Sequence, residues 1–201
     1  SFYVNLRHTM EGKQNLKTDE IETLVLQSQD GSADAFAKLY DIFIYPIYRY
    51  VFYRVKGGEA EDLVELIFLK TWENIRQYRQ GQYNFSAWIF RIAHNAVVDY
   101  YRSNNHIEEE LSHDIPDERR LADTSDRTHR SLNGNLLSTA MRELKDHYRQ
   151  ILILKYINDL SNEEIGYITG RSQAAIRILQ FRALRSLRKI MDKMGISGFD
   201  L

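Results

Sequence analysis

Apolar positions recur at helical spacing along most of this chain, and polar breaks divide them into blocks. Asp19 to Gln29 reads as an amphipathic helix that stops near Asp30-Gly31. A second helix begins after Ser32, with Phe36, Leu39, Tyr40, Phe43, Ile47 and Val51 along one side. Pro46 interrupts this run, and because proline removes a backbone donor, a kink or a break is expected there. Gly57-Gly58 ends the run. Glu59, Glu61 and Asp62 then open a third helix, where negative charge suits the helix dipole. Leu63, Ile67, Phe68, Thr71 and Trp72 continue it. A polar loop from Gln77 to Asn84 precedes a fourth helix, Phe85 to Arg102. Ser103 to Asn135 lacks sustained periodicity and reads as a linker, with a short helical piece expected around Glu118 to Ala122. Beyond it, Leu137, Ala140, Met141 and Leu144 mark one helix, and Ile151, Leu152, Leu154 and Ile157 mark the next.

Leu160 to Lys189 carries the sharpest local signal. Ser161 and Glu164 form an S-x-x-E capping box at a helix start, and Ile165 and Ile168 give that short helix an apolar side. Gly170 supplies the turn, because it takes positive φ without a Cβ clash. Ser172 caps the following helix, in which Ile176, Leu179, Ala183, Leu187 and Ile190 recur at helical spacing. Its other side holds Gln173, Arg177, Gln180, Arg182, Arg185, Arg188 and Lys189. A helix that buries one stripe and offers arginine and glutamine on the other suits a DNA major groove. The same pattern also fits a basic amphipathic helix packed on a helical hairpin.

Composition narrows the class. With 201 residues, 43% hydrophobic, two prolines and ten glycines, the chain has few breakers and suits a mainly helical protein. It has no cysteine, which removes disulfides, thiolate metal sites and a cysteine nucleophile. No apolar run approaches the ~18 residues needed to span a bilayer, so no membrane insertion is expected and the cytoplasm is the default location. Lys plus Arg is 27 and Asp plus Glu is 28, so the net charge hides any basic face. Its distribution does not. Basic residues outnumber acidic ones from Met141 to Met194, whereas Ser103 to Asn135 is acidic, with Glu108, Glu109, Glu110, Asp114 and Asp117 among its acids. One segment can approach phosphate and another avoids it.

Two signatures in order resemble a bacterial sigma factor of the sigma-70 family, in its small two-domain extracytoplasmic-function (ECF) class. The resemblance covers about Asp19 to Lys193. GSADAFAKLYDIF to YRYVFYRV resembles region 2.1, and AEDLVELIFLKTWENI (Ala60 to Ile75) resembles region 2.2. FSAWIFRIAHNAVVDYYR (Phe85 to Arg102) resembles regions 2.3 and 2.4. LKDHYRQILILKYINDLSNEEIGYITGRSQAAIRILQFRALRSL resembles region 4. The implied fold is all-α: region 2 at 19–103 and the region 4 helix-turn-helix at 135–195, joined by a flexible acidic linker at 104–134. Residues 1–18 are an N-terminal extension and 196–201 a C-terminal tail. Met10 is a candidate native start with Ser1 to Thr9 added to it, and a genuine extension is equally open.

The resemblance implies a protein that binds the core of RNA polymerase and directs it to promoters, reading the −35 element as duplex and the −10 element as single strand. For the −35 element, Arg171, Ser172, Gln173 and Arg177 sit where side chains reach base edges, and Arg182 and Arg185 would position the backbone. Phe181 is open between DNA contact and packing. For the −10 element, the Gln77–Asn84 loop would hold a flipped base, with Asn84 in reach and Tyr78, Tyr83 and Phe85 as the available aromatics. Arg91 and Arg102 would contact phosphate and Asn95 the upstream edge, while Trp88 fits an apolar stripe with Ile89, Ile92 and Ala96. His94 stands where the family often has a basic residue, which makes any phosphate contact there pH-sensitive. Polymerase docking would centre on Asp62, Glu65 and Leu66, and Leu66 departs from the family's usual acid; either docking relies more on Asp62 and Glu65, or the surface is adapted to a partner, or Leu66 simply packs. An anti-sigma protein is an expected further partner.

No P-loop, G-x-S-x-G or metal-spaced cluster is present, and His94 and Asp99 share no helix face well, so neither an enzyme nor a cofactor is expected. Two rivals stand beside the promoter-recognition reading: a two-domain helix-turn-helix regulator acting without core polymerase, and a protein-interaction module whose basic helix binds an acidic partner. The linker bears on the choice. About 32 flexible residues span ~30 Å on average, against ~70 Å between contact sites two duplex turns apart and ~100 Å fully extended. The isolated chain is therefore expected to bind a full promoter little better than its C-terminal domain binds a −35 duplex.

Overall fold

The computed structural model describes residues 18–55, 57–81, 83–110, 137 and 139–195, with backbone alone for 104–110. The N-terminal extension up to residue 17, the C-terminal tail, most of the linker and its expected helical piece lie outside these residues. Helix α1 spans Thr18–Gln29, α2 Ala33–Phe52, α3 Ala60–Asn74 and α4 Phe85–Glu110. In the second body, α5 spans Asp146–Leu152, α6 Asn162–Thr169 and α7 Gln173–Lys193. Among the described residues there is no β-strand.

Local chemistry sets the boundaries. Gly31, at φ 97°, turns the chain after α1, and the Ser32 hydroxyl then accepts from Ala35 N–H at 3.2 Å to cap α2. The break allowed for at Pro46 does not occur: α2 runs through it, buried at Leu39 and Phe43 before the proline and at Ile47, Tyr50 and Val51 after it. One lost backbone donor is outweighed by that continuous apolar face, since each large side chain buried contributes about 1.5–3 kcal/mol. Helix α4 overruns its expected end at Arg102 by eight residues, to Glu110. No glycine or proline interrupts 103–110, and glutamate is a good helix former.

Helices α2, α3 and α4 enclose Ile47, Tyr50, Ile67, Phe85, Phe90 and Val97, while Ile151, Leu154, Ile165, Ile176 and Leu187 fill the second body. Helix α5 continues into a wider turn, Ile153–Ile157, in which Asn158 N–H reaches back five residues to the Ile153 carbonyl at 3.0 Å. The two bodies are packed on each other, with α4 lying against α6.

The helix-turn-helix forms as its residues predict. Ser161 Oγ accepts from Glu164 N–H at 3.1 Å, and Glu164 Oε2 accepts from Ser161 N–H at 2.7 Å. Gly170 caps α6 at φ 67°, and Ser172 Oγ accepts from Ala175 N–H at 3.2 Å. Gly166 adds a constraint that spacing does not reveal. A Cβ there would lie 2.7 Å from the Arg171 carbonyl oxygen, because the turn folds back onto α6. Alanine ordinarily gains about 0.5–1 kcal/mol over glycine inside a helix. A backbone clash costs about 1–3 kcal/mol. Gly166→Ala is therefore expected to destabilise the protein, lowering the thermal midpoint by about 2–4 °C; an unchanged or raised midpoint in calorimetry would show that the turn yields.

Candidate nucleic-acid interface

Helix α7 buries Ile176, Ala183, Leu187 and Met191 against the second body. Its exposed side, with the preceding turn, presents Arg171, Ser172, Gln173, Arg177, Arg182 and Arg185, and no acidic residue occurs on the helix before Asp192. Gln180 is held away from this row, donating to Asn162 Oδ1 at 2.6 Å. Two large apolar side chains share the exposed side: Ile178 is 53% and Phe181 67% exposed. Phe181 thus lies outside the core, and Ile178 was missed because the stripe drawn through Leu179 left it unremarked.

The candidate −10 residues separate into three groups. Tyr78 is withdrawn from any stacking role, because its ring is buried against Phe85 and Trp88 and its hydroxyl donates to Glu22 Oε1 at 2.8 Å. Burial, and then Glu22, push its pKa well above the ordinary phenol range. An aromatic beside a polar loop looked available from sequence; the partner that claims it lies 56 residues away. Tyr83 and Asn84 are at the surface of the first body but occupied. The Tyr83 ring stacks on Tyr167 of α6 at 4.0 Å and 20°, and Asn84 Nδ2 donates to Glu164 Oε1 at 2.8 Å while its Oδ1 accepts from Ala87 N–H. The Arg91 guanidinium lies 4.5 Å from the Tyr167 ring centroid. Asn95 and Arg102 are exposed, Arg102 within 3.9 Å of Asp99.

A second set of contacts closes the seam between the bodies. Arg54, 2% exposed, donates from Nε to Asp146 Oδ1 at 3.1 Å and from Nη2 to Oδ2 at 2.7 Å. It also donates to the Tyr50 hydroxyl, which accepts from Gln150 Nε2 at 3.1 Å as well. Arg149 donates to the Tyr53 carbonyl at 2.8 Å. Gln150 Nε2 lies 2.7 Å from His94 Nδ1. Sequence reasoning singled out neither Arg54 nor Asp146.

His94 makes this seam pH-sensitive. Burial, and then the nearby charge of Arg54, lower its pKa from 6.5 to about 4; Arg171 and Arg91 add to the fall and Asp146 opposes it. Parting the bodies relieves the burial, which is the largest cause, and removes Arg171, while Arg54 and Arg91 stay beside the ring and Asp146 leaves. The parted ring therefore takes a proton more readily than the closed one; well above pH 6.5 both are neutral and closure is unaffected. As pH falls toward about 4 the parted form takes the proton before the closed one does, and closure weakens. The separation of two dyes, one on each body, is expected to grow between pH 7.5 and 5, and less so in His94→Gln. Equal responses in both proteins would remove His94 from the cause.

On α3, Asp62, Glu65 and Leu66 are all exposed, and Leu66 is 41% exposed rather than packed. Leu69 and Trp72 continue an apolar strip beside it, with the Trp72 ring edge-on to Phe36 at 4.9 Å. Their spacing at 66, 69 and 72 was the available signal. Among the described residues no group of three acidic or histidine side chains is placed to hold a metal ion, and no helix is long and apolar enough to cross a membrane.

Comparisons with known proteins match this arrangement. The family models for Sigma-70 region 2 and Sigma-70 region 4 match residues 39–107 and 134–187. The ECF RNA polymerase sigma factor BldN of Streptomyces coelicolor is 33% identical over 170 residues, covering 84% of this chain and 64% of BldN. The ECF sigma factor SigW of Bacillus subtilis is 30% identical over 190 residues, covering 84% of this chain and 95% of SigW. In fold, the chain resembles CnrH in its complex with the cytosolic domain of CnrY, with a TM-score of 0.65 at 21% identity over 88% of this chain and 99% of that one. It also resembles RpoE in complex with the anti-sigma factor NepR from Bartonella quintana, with a TM-score of 0.68 at 20% identity over 78% of this chain and 96% of that one. Region 2 and region 4 stand in the expected order, and the chain belongs to the extracytoplasmic-function class of the sigma-70 family of RNA polymerase sigma factors.

Proposed function

We propose that this chain is the promoter-recognition subunit of a bacterial RNA polymerase, with residues 19–103 taking the core enzyme and the −10 element and residues 135–195 the −35 element. The observation that carries the reading is the exposed side of α7, free of acids before Asp192, on a body joined to a region 2 match. Arg171, Ser172, Gln173 and Arg177 would meet base edges, Arg182 and Arg185 the backbone, and Ile178 and Phe181 thymine methyl groups. Tyr83, Asn84, Arg91, Asn95 and Arg102 would serve the −10 strand. The exposed Asp62–Glu65–Leu66 side of α3, extended by Leu69 and Trp72, would dock on core polymerase.

In the closed chain, Tyr83, Asn84 and Arg91 are engaged by α6, so core polymerase would have to hold the bodies apart before both elements are read. A regulator working on duplex alone leaves the region 2 match without a use. The relatives CnrH and RpoE have been solved with protein partners, and an anti-sigma protein is proposed for this chain too. Its site of action would be the cytoplasm, with polymerase, and the chain itself would catalyse nothing. Run-off transcription with core polymerase tests the reading: promoter-specific transcripts are expected only when the chain is added, and DNA binding without transcripts would support the regulator instead.

A further inference from the structure

We propose that Arg54 is a DNA-phosphate contact on the −10 side of the first body, and that Asp146 occupies it as a phosphate stand-in while the chain is closed. This rests on the promoter-recognition reading and adds a binding residue to it.

Arg54 lies beyond the end of α2, outside the α4 segment that carries the −10 candidates, yet it is joined to that helix. The Tyr101 hydroxyl donates to its carbonyl, and the Tyr50 ring whose hydroxyl its guanidinium meets packs edge-on to Phe90 of that helix, with centroids 5.7 Å apart. Positions 91, 94, 98 and 101 step by three, four and three residues, which places them along one side of α4. Arg54 therefore extends the row begun by Arg91 and His94.

Its fork is held ready. The guanidinium carbon lies 5.2 Å from the Tyr50 ring centroid, and the Tyr50 hydroxyl accepts from one of its nitrogens. That leaves Nε and Nη2 directed at two oxygens of one group, the bidentate geometry that serves carboxylate and phosphate alike.

The second body covers the row with groups of the kind nucleic acid offers. A carboxylate sits on Arg54, the Tyr167 ring lies over Arg91 at 4.5 Å, and the Gln150 amide meets His94 Nδ1 at 2.7 Å. Asp146 departs with its body when the two contact sites separate by ~70 Å. Arg54 then needs another two-oxygen acceptor. Phosphate is favoured over an acidic protein surface because Arg54 is bonded to Tyr101, on the Arg91–His94 side of α4, whereas the proposed polymerase-docking residues are on α3.

The test measures holoenzyme binding to fork-junction promoter DNA, duplex upstream of the −10 element, across a potassium chloride series. Arg54→Gln is expected to flatten the log–log salt slope by about one, so wild-type affinity falls about 3.5-fold further than the variant's between 50 and 200 mM. Arg54→Lys should keep the wild-type slope, and core-polymerase affinity should be equal in all three proteins. An unchanged slope in Arg54→Gln would overturn the proposal, as would a loss confined to core binding, which would make an acidic polymerase surface the acceptor. Should Arg54→Gln not fold, Asp146→Asn in the chain without polymerase reads the same contact: uncovering Arg54 should steepen the slope for fork DNA, and an unaltered slope counts against it. Wild-type holoenzyme that ignores the fork altogether would instead sink the promoter reading.

Discussion

Asp146→Ala should swing the chain open in the absence of polymerase. The substitution leaves Arg54, 2% exposed, without its carboxylate, and removing one partner of a buried ion pair costs about 3–5 kcal/mol. Asp146 is itself 43% exposed, which screens the pair, so about 1–2 kcal/mol is the expected loss. That is roughly a 5- to 30-fold shift in the ratio of closed to parted chain. Small-angle scattering should record a larger radius of gyration for the variant, and dyes on the two bodies a longer separation. The remaining contacts, Asn84 to Glu164 and Tyr83 on Tyr167, set the residual closure. A variant as compact as the wild type would assign the seam to those contacts and leave the Arg54 pair with no part in holding it.

The second large effect lies on α7. Arg177 is exposed one turn into the helix, and on the proposed reading its guanidinium would meet a guanine edge through two parallel hydrogen bonds. Arg177→Ala should cost about 1–3 kcal/mol at the promoter's preferred −35 sequence, a loss of about 5- to 150-fold in initiation. On a −35 sequence altered at the contacted base the same substitution should cost little. Arg185→Ala provides the contrast: proposed as a phosphate contact, its loss should weaken all sequences alike and lower the salt slope by about one. Both variants should melt with the wild type, because neither side chain is buried. If Arg177→Ala weakened every −35 sequence equally, Arg177 would be a backbone contact.

Much of the fold was legible in the sequence because it is local. The capping box at Ser161 and Glu164, the left-handed Gly170 and the Ser172 cap are each settled within four residues, and all three form as read. The apolar stripe of α2 outlasted Pro46 because packing along a whole face outweighs one missing donor. The seam was not legible. Arg54 and Asp146 are 92 residues apart, and each alone looks like an ordinary surface charge. Tyr78 failed for the same reason, since Glu22 and the rings that bury it come from other elements. Glu164 shows both limits in one side chain. Its Oε2 closes the capping box that spacing predicts, and its Oε1 takes Asn84 from the other body, which spacing does not.

The contacts at the seam add to the entropic cost of linking two promoter sites that the length between the two bodies leads one to expect. Contacts that engage Tyr83, Asn84 and Arg91 in the closed chain add a second obstacle, and both are removed by a partner that holds the bodies apart.

The most direct measurement is affinity for a full promoter, with both elements present, as core polymerase is titrated in. Without core, the chain should bind the full promoter little better than a −35 duplex alone, and promoter affinity should rise steeply as core is added. Tight binding to both elements by the chain alone, unchanged by polymerase, would contradict the account.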